Sequence, residues 1–143
     1  MPADLTHATH KNKTLATFFA FLLGFAGLHR FYLYGLSDRW GWLHASSIPL
    51  TAALLSANPE LPLLVNTAPL VLSMLIASIE TFVLGLMGDE KWDARYNPIS
   101  GRTSDSRWPV ALMMVLNLFY GATLLLTVLA RAFDLMLTGG AYG

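Results

Sequence analysis

The chain has 143 residues, no cysteine, and nine basic side chains against nine acidic ones, for a formal net charge of zero. Hydrophobic residues make up 55% and charged residues only 13%, about half the charged share of an ordinary soluble domain. This excludes disulfides and thiolate metal sites, offers no basic surface to nucleic acid, and argues against a soluble fold.

The charges gather in 1–13, 38–39, 89–107 and 131–134, and the apolar runs between them are longer than core helices need. The pattern predicts an all-α integral membrane bundle of three to four transmembrane helices, over about 14–36, 41–57, 63–87 and 109–131. The remaining divisions are a polar N-terminal tail (1–13), a membrane domain (14–97), a cytoplasmic loop (98–108) and a flexible C-terminal tail (132–143).

In the tail, His7 and His10 can share a helical face, but two histidines do not complete a metal site. Thr14–Leu28 is the first helix, fifteen residues without a charge. At about 22 Å long it falls short of the ~20 residues a full crossing takes. Ala16, Ala20 and Gly24 form a small-residue stripe along it for close helix packing. The run leads into His29-Arg30-Phe31-Tyr32 rather than a small-residue cleavage site, so it is expected to stay in the mature protein.

His29–Gly41 reads as an interfacial hinge in which Tyr32, Tyr34, Trp40 and Trp42 surround Arg30, Asp38 and Arg39. In the second helix, Gly41, Ala45, Pro49, Ala53 and Ala57 make another packing stripe, and His44 reads as an interfacial or packing residue. Asn58–Pro62, with two prolines, is a tight turn. Leu63–Met87 carries a single charge, Glu80, and Asn66, Ser73 and Glu80 follow at seven-residue spacing on one face. Gly88–Trp108 is expected to be a mobile polar loop, with Trp92, Tyr96 and Trp108 interfacial. Asp105 or Ser106 is expected to cap the last helix, with Pro109 in its first turn. Asn117, Tyr120, Thr127 and Arg131 line one face of that helix.

The turn 58–62 has no basic residue, whereas 88–108 has four, which puts 88–108 in the cytoplasm. If the first helix crosses fully, six basic residues lie inside and three outside; if it dips in and returns, the division is eight to one. Both arrangements are open at this point.

Lys13, a following apolar helix, and then Leu23-Gly24-Phe25-Ala26-Gly27-Leu28-His29-Arg30-Phe31-Tyr32-Leu33 resemble the signature of the TM-two domain family. Downstream, a helix bearing Glu80 and the segment Asp93-Ala94-Arg95-Tyr96-Asn97 resemble its bacterial branch. The likeness covers about 11–97, and Gly35 comes one residue later than in the family pattern. The resemblance implies a small protein of the bacterial inner membrane with no enzymatic activity attached to it.

A carboxylate inside a membrane helix costs about 2.5–3.5 kcal/mol on insertion scales, so Glu80 needs a partner. The expectation is an Arg30–Glu80 ion pair or a His29–Glu80 hydrogen bond clamping the first motif to the third helix. The structural and interaction residues singled out are Gly24, Gly27, His29, Arg30, Phe31, Tyr32 and Glu80. No catalytic, cofactor-binding or metal residue is expected, because no nucleophile–base pair, phosphate loop or metal motif occurs. The reading is therefore a non-enzymatic, multi-pass inner-membrane component. Its partners are the lipid bilayer and either its own copies or another membrane protein. The alternative is a small transporter or channel subunit with Glu80, Asn66 and Ser73 on a polar path.

Overall fold

The computed structural model describes residues 9–141, which are 77% helical with no strand among them. His7 lies outside the described residues. The helices are α1 (Lys13–Leu23), α2 (Leu28–Tyr34), α3 (Arg39–Ala57), α4 (Leu63–Leu86), α5 (Asp89–Tyr96) and α6 (Trp108–Thr138), with a 3₁₀ turn at Gly24–Ala26.

The segment 14–36, expected as one helix, is a hairpin. Asn12 starts α1 by accepting Leu15 N–H on its side chain at 3.0 Å, which satisfies a donor the first turn leaves free. Ala16, Thr17 and Ala20 are buried at helical spacing. The chain then tightens into the 3₁₀ turn and reverses at Gly27, whose φ of 76° is left-handed. A side chain at that φ is strained, and a Cβ on Gly27 would strike the Gly41 carbonyl oxygen. Glycine therefore sets both the turn and the close approach of α3. α2 returns beside α1: Asn12 N–H donates to Tyr32 Oη at 2.8 Å, and Lys11 Nζ reaches Leu33 O. Both ends of the hairpin thus lie at one end of the molecule.

α4 is the central element, packed against α1, α3 and α6. It runs antiparallel to α3 around 58–62, where Asn66 Nδ2 donates to Asn58 O at 2.8 Å. Pro69 contributes no donor to the helical ladder, and the next amide, Leu70 N–H, donates across to Thr51 Oγ1 at 3.2 Å. α6 runs antiparallel to α4 on its other side. Gly85 faces Met114 and Gly121 faces Ser78 so closely that a Cβ on either glycine would collide with the opposing side chain.

Along α3 and much of α4, burial runs opposite to hydropathy, although Ala77 and Leu84 of α4 are buried. α3 buries Gly41, His44, Ser47 and Thr51, while Trp42, Leu43, Leu50 and Leu55 are exposed. The expected Ala53 and Ala57 stripe is also exposed, so the polar face packs rather than the alanines. α4 buries Asn66, Ser73, Ser78 and Thr81 and exposes Leu72, Ile79, Val83 and Leu86. Water selects the reverse arrangement. By length and composition, α4 and α6 can cross a membrane.

Three further expectations are corrected. The last helix continues to Thr138, through most of the expected tail 132–143, because no residue before Gly139 stops it. Its N-cap is Arg107 with no side-chain cap bond, since the Ser106 backbone is turned to Asp89 (2.7 Å). The loop 88–108 is not irregular throughout: α5 folds within it.

Candidate functional site: a half-buried ion cluster at Glu80

Arg30 comes from α2, the returning arm of the hairpin. Its NH1 lies 2.6 Å from Glu80 Oε1, and its Nε lies 2.7 Å from Asp38 Oδ2. The same Asp38 oxygen caps α3 by accepting Gly41 N–H at 2.7 Å. The Arg30 hydrogen bond holds the Asp38 carboxyl below its ordinary range. One guanidinium thus joins the start of α3 to the C-terminal part of α4, and it also sits over the Tyr34 ring at 5.3 Å.

Glu80 Oε2 receives two imidazoles. His29 Nε2 stands at 2.8 Å and His44 Nε2 at 3.1 Å, their rings edge to face at 5.9 Å. His44 Nδ1 contacts Ser73 Oγ at 2.7 Å, and Ser73 donates to Phe25 O in the 3₁₀ turn at 2.9 Å. The two expected partners of Glu80, Arg30 and His29, therefore bind it together, one on each oxygen. Asp38, His44 and Ser73 complete the cluster; the sequence set Ser73 on the face of Glu80 but assigned neither Asp38 nor His44 to it. His44 is buried in the α3–α4 seam rather than interfacial. The available signal was periodic: His44 follows Gly41 by one turn, and Ser73 stands midway between Asn66 and Glu80 on their common face.

The other singled-out residues hold this cluster in place. A Cβ on Gly24 would lie 2.7 Å from Ala77 Cβ, so the glycine lets the turn sit against α4. The Phe31 ring packs on Gly41, where a Cβ would come within 2.5 Å of it, and meets Trp42 edge-on at 5.3 Å. Tyr32 joins the hairpin arms through Asn12 and packs edge-on against Phe19 at 5.7 Å. Beside Glu80 and His44, a groove of about 450 Å³ opens between α3 and α4, walled by Trp40, Leu43, Leu72 and Ile76.

A second polar assembly closes the same end of the molecule. Lys13, buried, pairs with Asp89 at 2.9 Å and also reaches Met87 O. Asn97 grips the Lys11 backbone on both sides, with Oδ1 accepting its N–H at 2.7 Å and Nδ2 donating to its O at 3.1 Å. Trp92 is fully buried, stacked near Tyr96, and donates Nε1–H to Lys11 O at 2.9 Å. It is a core residue, correcting the interfacial expectation. Asp93 accepts Ser104 N–H and Oγ–H, each at 2.6 Å, and Asn97 Nδ2 at 2.9 Å. The Asn97 and Ser104 hydrogen bonds draw the Asp93 carboxyl down to about 2. Burial pushes the Asp89 carboxyl up, but hydrogen bonds from Ser106 and Lys13 outweigh it and leave the group below its ordinary range.

Among the described residues, no group of three or more His, Asp or Glu side chains is placed to hold a metal ion. The chain matches no family model, no curated protein and no solved structure.

Proposed function

We propose that this protein is a non-enzymatic, multi-pass component of a bacterial inner membrane, acting in assembly or interaction rather than in transport. In this reading α3, α4 and α6 cross the bilayer. The α1–α2 hairpin enters and leaves on the cytoplasmic side. The inverted burial supports it, since lipid accepts the exposed leucines and the polar residues turn to one another. The charge distribution supports it as well: the hairpin arrangement leaves eight basic residues on the side of 88–108 and only Arg131 on the other. The TM-two likeness agrees with it on motif residues alone.

The observation that carries the interaction reading is the saturation of Glu80, with both oxygens engaged by three side chains. A carboxylate so held is a clamp. The surface left for partners is the outer side of α5, where Glu90, Lys91 and Arg95 are exposed.

Because the chain has no cysteine, single cysteines test the topology. An impermeant maleimide applied to spheroplasts is expected to label Leu61→Cys, and to label Thr9→Cys and Ile99→Cys only after lysis. Labelling of Ile99→Cys from outside would sink the scheme. In-cell crosslinking from Lys91 should trap a protein partner that charge reversal at Lys91 and Arg95 releases.

The groove beside Glu80 and His44 favours a second reading, a proton or ion pathway along the α3–α4 seam. Purified protein in liposomes separates the two. A Glu80-dependent leak supports the pathway, and a tight membrane supports the clamp.

A further inference from the structure

Two cavities adjoin where α1 and α6 begin. The first, of about 350 Å³, is polar and lies between the start of α1 and 102–106. The second, of about 470 Å³, is an apolar groove walled by Leu15 and Phe18 of α1 and by Trp108 and Leu112 of α6. Asn12 and Thr14 line both.

Of the lysine, arginine and carboxylate groups around the polar cavity, only one is left over. Lys13 is closed on Asp89 at 2.9 Å, and Asp105 on Arg107 at 2.7 Å. Asp93 is occupied by Ser104 and Asn97. Arg102 is exposed, and its guanidinium has no partner among the described residues. The hydroxyls of Thr14 and Thr103, on the same wall, have no hydrogen-bond partner among the described residues either. A spare guanidinium beside spare hydroxyl donors suits a phosphate, which the planar N–H fork can hold through two oxygens.

The groove decides what carries that phosphate. Leu15, Phe18, Trp108 and Leu112 are all exposed. A soluble phosphate gains nothing from covering them, whereas a hydrocarbon chain attached to the phosphate does. An exposed tryptophan between a polar cavity and an apolar groove is also placed as at the headgroup level of a bilayer. In the proposed membrane arrangement, both helix starts lie at the cytoplasmic boundary, where basic groups meet anionic lipid.

We propose that these cavities bind an anionic phospholipid of the cytoplasmic leaflet, with its phosphate on Arg102 and the top of one acyl chain in the α1–α6 groove. Thr14 to Phe18 spans about 6 Å of helix, so the rest of the chain stays among the bilayer lipids. The bound lipid bridges the segment 102–103 to the seam between α1 and α6. This inference rests on the membrane reading.

The test is native mass spectrometry of the full chain released from detergent micelles. Phosphatidylglycerol, diacylglycerol with the same chains, or glycerol 3-phosphate is added at equal concentration. Phosphatidylglycerol is expected to stay bound where the other two do not, and glycerol 3-phosphate should not displace it. In Arg102→Gln its dissociation constant should rise about fivefold, the effect of one basic group near an anionic surface. Arg39→Gln, an equal loss of charge at an exposed position outside both cavities, should leave it unchanged. Leu112→Trp, which fills the groove and keeps Arg102, should also weaken binding. Unchanged melting of the lipid-free variants shows that they fold. Equal losses in Arg102→Gln and Arg39→Gln, or displacement by glycerol 3-phosphate, overturn the proposal. So does a dimer in place of the lipid adduct, which would give the groove to a second copy. Alkaline carbonate separates the two readings. A chain that stays in the membrane pellet yet retains no phosphatidylglycerol sinks the lipid site alone, whereas a chain that is extracted sinks the membrane reading itself.

Discussion

Arg30 and Glu80 are fifty positions apart in sequence, and their charged groups meet at 2.6 Å. The pair joins the hairpin to the central helix, and both side chains are half-buried. Removing one partner from a buried pair costs about 3–5 kcal/mol. Both groups here keep some exposure, so Glu80→Ala should fall at or below the low end, measured as loss of thermal stability in detergent. The swap Arg30→Glu with Glu80→Arg should be more stable than either single change. It should not restore the wild type, because the exchanged carboxylate then faces Asp38. A swap no better than the single changes would mean that the pair does not couple the two elements.

Two glycines with positive φ separate backbone strain from packing. Gly27 (φ 76°, ψ 12°) and Gly139 (φ 70°, ψ 19°) share the left-handed conformation, yet a Cβ on Gly27 meets the Gly41 backbone while one on Gly139 meets nothing within 4 Å. Left-handed backbone costs a residue with a side chain about 1–2 kcal/mol. Gly139→Ala should lose about that much, and Gly27→Ala clearly more, since α3 must also move away. Equal losses in thermal unfolding would remove Gly41 contact from the account of the turn.

The two helices long and apolar enough to cross a membrane and the partners of Glu80 were legible because each is a strong local anomaly: long uncharged runs, and one carboxylate within such a run. The hairpin was legible only as one of two charge distributions. What decides it, the left-handed backbone at Gly27, looks like any other glycine in the sequence. His44 stayed hidden because its immediate neighbours in sequence are apolar, and its role depends on which face of α3 packs. Trp92 was misread because a tryptophan beside charges marks an interface on average, whereas here Lys11 and Asn97 fold over it.

The second polar assembly should respond to acid. Asp93 is drawn from an ordinary value of 3.8 to about 2 in the folded protein. A depressed folded value means that its contribution is complete above pH 3.8 and is lost as pH falls through about 2. The Ser104 amide, which donates to Asp93 Oδ2 at 2.6 Å, should therefore shift in NMR spectra with a midpoint near that value. Asp89 is depressed too, so the comparison is with Asp93→Asn, in which the Ser104 shift should lose its pH dependence. A midpoint near 4 in the wild type would mean that the Ser104 and Asn97 bonds are not held in solution.

α4 and α6 are joined by a reciprocal contact between Ser78 and Asn117. Ser78 Oγ–H donates to Asn117 Oδ1 at 3.1 Å, and Asn117 Nδ2–H donates to Ser78 O at 2.9 Å. Both residues are buried, Asn117 completely. In hydrocarbon surroundings such bonds are worth about 0.6 kcal/mol on average and at most about 1.7. The two changes are not equivalent. Ser78→Ala removes only the hydroxyl bond and keeps the one to its carbonyl, whereas Asn117→Ala removes both. Asn117→Ala should therefore destabilise more, and the double variant should cost less than the sum of the two. The difference from additivity reports the hydroxyl bond alone, and a double-variant cycle on unfolding in mixed micelles measures it. Strict additivity would leave α6 held to α4 by the close approaches at Gly85 and Gly121, with no contribution from that hydroxyl.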